Sequence, residues 1–272
     1  MDTGWELHRR AHFDEIVVNY DRARPDYPDA LFRDVFAYAG PGKKALEIGA
    51  GTGKATQPFL RAGYDVTAVE MGANMADFLA EKCRGYASFR VVNASFEDAP
   101  LEDGGYDLIY AASAFHWVNQ EIGFPKVLRL LRPGGVFALF RYNWLPDEGG
   151  ALCEEIEAAR DRHYRSYYAS KRRWPALRTP AQFEQPAAML SSYGFADLRG
   201  HGFCDVTMRY YEAEMTYTAD EYIALCDTMA DNRALPEANR EALYAGIREA
   251  IARHGGRYRE DNMFRLYMGR KG

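Results

Sequence analysis

The chain has 272 residues, 47% of them hydrophobic, enough for one large core or one domain with a substantial insertion. A formal net charge of −5 gives no basic footprint for a phosphate backbone, so a small molecule rather than nucleic acid is the expected partner. The 4 cysteines stand far apart without a CxxC or Cys/His cluster, and no apolar run approaches the ~18 residues of a membrane span. A cytoplasmic protein with reduced thiols and no resident metal is expected, as a monomer or a homodimer.

In chain order, the first feature is "NYDRARPDYP", in which two prolines stiffen a segment carrying Tyr20, Arg24 and Tyr27. Then come five short apolar runs: "KALEIGAGTG", "YDVTAVEM", "SFRVVNAS", "YDLIYAAS" and "GGVFALFRY". Helix-length stretches separate most of them, which predicts βαβ units and a parallel sheet with right-handed crossovers. Gly63 and the pair Gly134–Gly135 read as helix stops. Residues 150–175 predict a Glu- and Arg-rich helix ending at Pro175, and residues 180–193 a second one. Together they interrupt the alternation as a helical insertion or lid. "DLRGHGFCDVTMRYYEAEMT" has β character, "TADEYIALCDTMADN" and "PEANREALYAGIREAIARHGG" are helical, and "NMFRLYMGRK" is a final strand. A single domain 1–272 is expected: an N-terminal lid segment 1–40, a cofactor-binding core 41–142, the insertion 143–192, and a C-terminal part 193–272 that completes the sheet.

The most informative motif is "ALEIGAGTGKAT", which ends the first strand and opens a helix. Gly49, Gly51 and Gly53 let backbone approach a ligand, and amides at the helix start favour a carboxylate or phosphate. The spacing is GxGxG, not the GxGxxG of dinucleotide enzymes, and Glu47 lies two residues ahead of the first glycine. A carboxylate there repels pyrophosphate and attracts ammonium, which suits S-adenosylmethionine. Glu70 ends the second strand 70 − 49 = 21 residues after the first glycine, where an acid typically takes ribose hydroxyls.

With "LEIGAGTG", Glu70, "NASFEDAP", "YDLIYAASAFHWV" and "LRPGG" in order, residues 40–140 resemble the class I S-adenosylmethionine-dependent methyltransferases. The closest likeness is to small-molecule enzymes similar to trans-aconitate methyltransferase, which share the "YDRARPDYP"-like segment and the "HW" pair. The resemblance implies a Rossmann-like, doubly wound α/β fold: a mostly parallel seven-stranded sheet with an antiparallel last strand, plus a helical lid. It implies that Glu47 with Gly49, Ala50, Gly51 and Gly53 holds the methionine end of the donor, Glu70 the ribose and Met71 one adenine face. Ser95, where many members carry Asp, and Phe96 would border the adenine edge, with Ala112 beside the donor and Tyr20 and Arg24 folded over it.

His116, beyond the carboxyl end of the fourth strand, has three open roles: general base, pocket lining or packing between Phe115 and Trp117. A sulfonium methyl is already activated, so alignment and water exclusion matter most, and a base is needed only if the nucleophile must lose a proton. Trp117, Tyr142 and Trp144 are candidate walls of the substrate site. "RDRHYRSYYASKRRW" mixes basic and aromatic residues, fitting either a lid over an acidic or aromatic substrate or a solvated helix face. Methyl transfer to an O, N or C nucleophile of a small metabolite is the leading expectation. A protein that binds the donor without transferring methyl is the alternative, and an NAD-type oxidoreductase a more distant one: it would keep Glu70 but predicts neither Glu47 nor the glycine spacing.

Overall fold

The computed structural model describes residues 16–145, 150–170 and 195–272. Seven strands form one sheet: β1 (Lys44–Ile48), β2 (Asp65–Glu70), β3 (Phe89–Asn93), β4 (Tyr106–Ala112), β5 (Leu131–Leu145), β6 (Phe203–Thr218) and β7 (Arg257–Lys271). Their order is β3-β2-β1-β4-β5-β7-β6. The first five strands are parallel, and β7 runs antiparallel to both β5 and β6.

The central strands are covered on both faces, and their residues alternate between two apolar layers. Ala45, Val66, Leu108 and Tyr110 face one layer with Leu31, Phe32 and Val35 of the helix Asp29–Ala39. Leu46, Ile48, Ile109 and Ala111 face the other, with Phe124, Val127 and Leu130 of the helix Gln120–Leu130. The i, i+3 and i+4 spacing of those helical residues gives each helix one apolar stripe toward the sheet.

A third apolar cluster lies apart from both layers. Ile156 and Ala159 of the helix Ala151–Arg160 pack with Tyr222 and Leu225 of the helix Ala219–Asp227 and with Leu243, Ile247 and Ile251 of the helix Glu237–Arg253. A Cβ on Gly246 would lie 2.9 Å from Ala159, so the first and last of these helices approach closely. A capping box between Thr218 and Glu221 starts the middle one. These helices form a cap.

"LRPGG" does not end a helix where expected. The preceding helix stops at Leu130, because Pro133 forces Arg132 toward an extended backbone, and Leu131 already pairs with Tyr106. Gly134, at φ 71°, lies inside β5 at a register shift instead. The expected helix 150–175 is α-helical over Ala151–Arg160 and widens to a π turn over Asp161–Arg165. Its end at Pro175, and the whole of the predicted helix 180–193, lie outside the described residues.

Phe59 is fully buried, with its ring stacked 3.9 Å from Tyr110 and edge-on to Phe36. Phe59→Ala is expected to lower unfolding free energy by ~3–5 kcal/mol, read from urea denaturation.

Candidate active site

The strand order reverses between β1 and β4, and in open α/β sheets ligands bind outside the carboxyl ends at such a point. A cavity of about 340 Å³ opens there. Its core side includes Gly49, Gly51, Glu70, Ser95, Ala112 and His116, and its cap side includes Arg160, Met229, Leu243 and Ile247.

The glycine loop sits close to its neighbours. At Gly49, φ is 66° and a Cβ would lie 2.6 Å from Ala114, so only glycine fits without displacement. The amides of Gly49 and Ala50 donate to the carbonyl of Val69, which ties the loop to the end of β2. Glu70 completes the tie: one carboxylate oxygen accepts from Gly51 N at 2.8 Å and the other from Gly72 N at 2.9 Å. Both ends of that carboxylate are therefore oriented at the cavity wall before any ligand arrives.

Glu47 lies behind the loop, not in the cavity. It is fully buried, with one oxygen accepting from Thr56 Oγ1 at 2.5 Å and Tyr110 OH at 3.0 Å, while Oε1 has no partner among the described residues. Burial pushes its carboxyl up to about 8, against the two hydrogen bonds that favour ionisation, so it is largely neutral at pH 7. Ala50 and Gly53 are also away from the cavity, and a Cβ on Gly53 would collide with Leu79. Met71 and Phe96 do line it. The hydroxyl of Ser95, which lines it too, donates to Asp98 Oδ2 at 2.6 Å.

The N-terminal segment crosses the crevice and bonds to core and cap. Lys54 pairs with Asp26 at 2.8 Å, and Lys82 with Asp21 at 2.6 Å. Tyr27 OH donates to Ser113 Oγ at 2.8 Å, and Asn19 donates to the carbonyl of Ala224 in the cap. Arg24 donates through Nη1 to Tyr142 OH and through Nη2 to the carbonyl of Thr228, both at 2.8 Å. These contacts set Tyr20 and Arg24 in the cavity wall.

His116 belongs to the single turn Phe115–Trp117. Phe115 anchors that turn, being fully buried against Phe124 and Phe137. His116 and Trp117 thereby reach the cavity, their rings 5.1 Å apart. Burial holds the imidazole pKa well below 6.5, and the guanidiniums of Arg141 and Arg24 push it the same way. The ring is neutral across the physiological range.

Strand alternation separates Arg141 from Tyr142. Arg141 lines the cavity, whereas Tyr142 packs toward the opposite layer on Phe264 and meets the site only through Arg24. Trp144 continues β5, paired through its backbone with Asn262, and its side chain lies outside the described residues. Sequence reasoning did not single out Ser113, which adopts φ 53° at the end of β4 and receives the Tyr27 hydroxyl. Its place between Ala112 and His116 was the available signal. The cap residues Met229, Leu243 and Ile247 had none, because they reach the cavity only through long-range packing. Among the described residues no group of three or more His, Cys, Asp or Glu side chains could hold a metal, and no helix is long and apolar enough to cross a membrane.

Comparison with known proteins agrees with this fold. Residues 46–139 match the family model described as a methyltransferase domain. An uncharacterized methyltransferase of Mycobacterium tuberculosis is 32% identical over 156 residues, covering 55% of this chain and 62% of that protein. The match thus spans under two thirds of that relative's length. An uncharacterized methyltransferase of Schizosaccharomyces pombe is 26% identical over 249 residues, 88% of this chain and 86% of the relative. In fold, a protein from Anaeromyxobacter dehalogenans assigned as a type II methyltransferase has TM-score 0.60 at 22% identity, covering 91% of this chain and 97% of that one. Phosphoethanolamine N-methyltransferase 2 of Haemonchus contortus, solved with S-adenosyl-L-methionine, has TM-score 0.51 at 15% identity over 95% of this chain and 57% of its own. Residues 46–139 thus carry a methyltransferase domain.

Neutral Glu47 has a consequence for stability. An unfolded carboxyl titrates near 4.5 and the folded one near 8, so between those values the folded state holds a proton that the unfolded state has released. Stability therefore falls as pH rises through that window. Glu47→Gln, neutral at every pH, is expected to remove roughly 2–4 kcal/mol of that fall in urea titrations from pH 5 to 8. Glu260, raised by burial to about 7, leaves a separate slope in the variant.

Proposed function

We propose that the whole chain moves the methyl group of S-adenosylmethionine to an O, N or C nucleophile of a small metabolite, in the cytoplasm, as one catalytic domain. The observation that carries this reading is the Glu70 carboxylate, fixed by Gly51 N and Gly72 N beside a glycine loop at the strand-order reversal. When bound, the donor supplies a sulfonium-activated methyl group.

The residues present fit such a donor. Glu70 would accept the ribose hydroxyls, and Met71, Ser95 and Phe96 would border the adenine. Ser95 already donates to Asp98, so its hydroxyl offers the adenine amine only an acceptor lone pair. The backbone at Gly49 and Gly51, with Ala112, leaves room for the methionine chain, and Tyr20 and Arg24 would face its carboxylate. Glu47 buttresses the loop through Thr56, in a role one layer behind the contact first expected of it. Ala50 and Gly53 likewise shape the loop from behind.

His116 with Trp117 would wall the acceptor side. For His116 to take a proton it must become an imidazolium beside Arg24 and Arg141, which the local charge opposes. Lining, with methyl transfer by in-line alignment, is the role that fits.

In titration calorimetry the wild-type protein is expected to bind S-adenosylhomocysteine, and Glu70→Gln to weaken it ~10–100-fold through loss of charge-assisted hydrogen bonds. Absence of binding at millimolar ligand would contradict the proposal. His116→Gln is expected to shift acceptor KM with kcat retained within about tenfold. A kcat loss beyond ~100-fold with donor affinity intact would instead assign it base chemistry.

A further inference from the structure

Several polar side chains that line the cavity spend their hydrogen bonds on the protein itself. Ser113 receives the Tyr27 hydroxyl at 2.8 Å, Asn232 donates to the carbonyl of Cys226 at 2.8 Å, Tyr164 OH donates to Asp231 at 3.2 Å, and Arg160 pairs with Glu157 at 2.6 Å. Arg141 likewise has its partner within the chain.

His116 differs. It lines the same cavity, yet its Nδ1 is sealed from solvent and hydrogen-bonds to nothing among the described residues. Phe115, fully buried, and Trp117, with its ring tilted 40° to the imidazole, flank it in one short turn. A sealed atom has no surface to offer, so a ligand can hydrogen-bond this ring only at Nε2. The ring is also neutral, since burial and the guanidiniums of Arg141 and Arg24 all oppose a second proton. A neutral imidazole carries one proton, and the surroundings of each nitrogen decide which one holds it. On Nδ1 that proton would be a buried donor without an acceptor, the rarer kind of unpaired polar group. On Nε2 it is available to a ligand.

We propose that His116 donates through Nε2–H to an oxygen of the methyl acceptor, so that the molecule received here carries a carbonyl-type oxygen, whether ketone, amide or carboxylate, on an apolar body beside Trp117. This acceptor class belongs to the methyltransferase read above and rests on that reading for the reaction itself. With Nε2 already protonated and Nδ1 sealed, the ring has no free lone pair to turn toward the cavity. The nucleophile therefore reacts without passing a proton to His116.

Nitrogen-15 NMR of protein labelled at histidine, with the signal assigned by its loss in His116→Gln, reads the tautomer. The proton is expected on Nε2 at neutral pH, and a proton on Nδ1 would overturn the inference. Acetophenone and its isostere α-methylstyrene, in which C=CH2 replaces C=O, are then titrated by NMR into protein saturated with S-adenosylhomocysteine. The ratio of their affinities is expected to fall about three- to tenfold in His116→Leu, the worth of one neutral hydrogen bond, and to stay within about twofold in His116→Gln, whose amide can still donate. An unchanged ratio in His116→Leu, or no acetophenone binding to the wild type at tens of millimolar, would also overturn it. Should His116→Leu fail to fold, the wild-type tautomer decides. If S-adenosylhomocysteine itself does not bind, the methyltransferase reading falls, while the tautomer read on the free protein still judges the donor at Nε2.

Discussion

The carboxylate of Glu70 is the point on which the site depends. It ends β2, and its two oxygens accept amides from Gly51 in the glycine loop and Gly72 at the start of the next helix. One side chain thus fixes the loop after β1 to the loop after β2. With only one of those hydrogen bonds the carboxylate could rotate, and a ligand would have to orient it at an entropic cost. Here that ordering is supplied by folding. The same economy appears behind the loop, where a neutral Glu47 receives Thr56 and Tyr110 and spares the interior an unpaired charge.

Around that fixed centre, two elements distant in sequence close the space. The N-terminal segment bonds at one end to Lys54 and Lys82 of the core and at the other to Ala224 and Thr228 of the cap. The cap holds itself together by its own apolar cluster and lines the far side of the cavity. The strand ends line its core side. Of the charged residues lining the cavity, Glu70 ends β2 and Glu97 follows β3, while the guanidiniums of Arg24 and Arg141 both push the His116 imidazole pKa down.

The parts legible in sequence were those decided locally. Alternating apolar runs and helix-length gaps gave the parallel sheet, and the antiparallel last strand followed from the family resemblance. The positions of Glu70, Met71, Ser95 and His116 follow from one rule, that loops after parallel strands meet at one edge. Depth was not legible. Glu47 and Glu70 both read as acids beside a glycine loop, yet one faces the buried layer and the other the cavity, because they occupy different registers at their strand ends. Arg141 and Tyr142 differ by one residue and face opposite sides by strand alternation. The cap wall at Met229, Leu243 and Ile247 arises where three helices meet, which no local pattern encodes. "LRPGG" carried the right motif and the wrong structure, since Pro133 moves the helix end upstream and hands the glycines to β5.

The most direct measurement is a crystal structure with S-adenosylhomocysteine bound. Glu70 is expected to sit within hydrogen-bond distance of both ribose hydroxyls while keeping its bonds to Gly51 N and Gly72 N, with the sulfur directed toward His116 and the cap. A ligand seated elsewhere, or a Glu70 that must swing off those amides to meet it, would contradict a site assembled by folding.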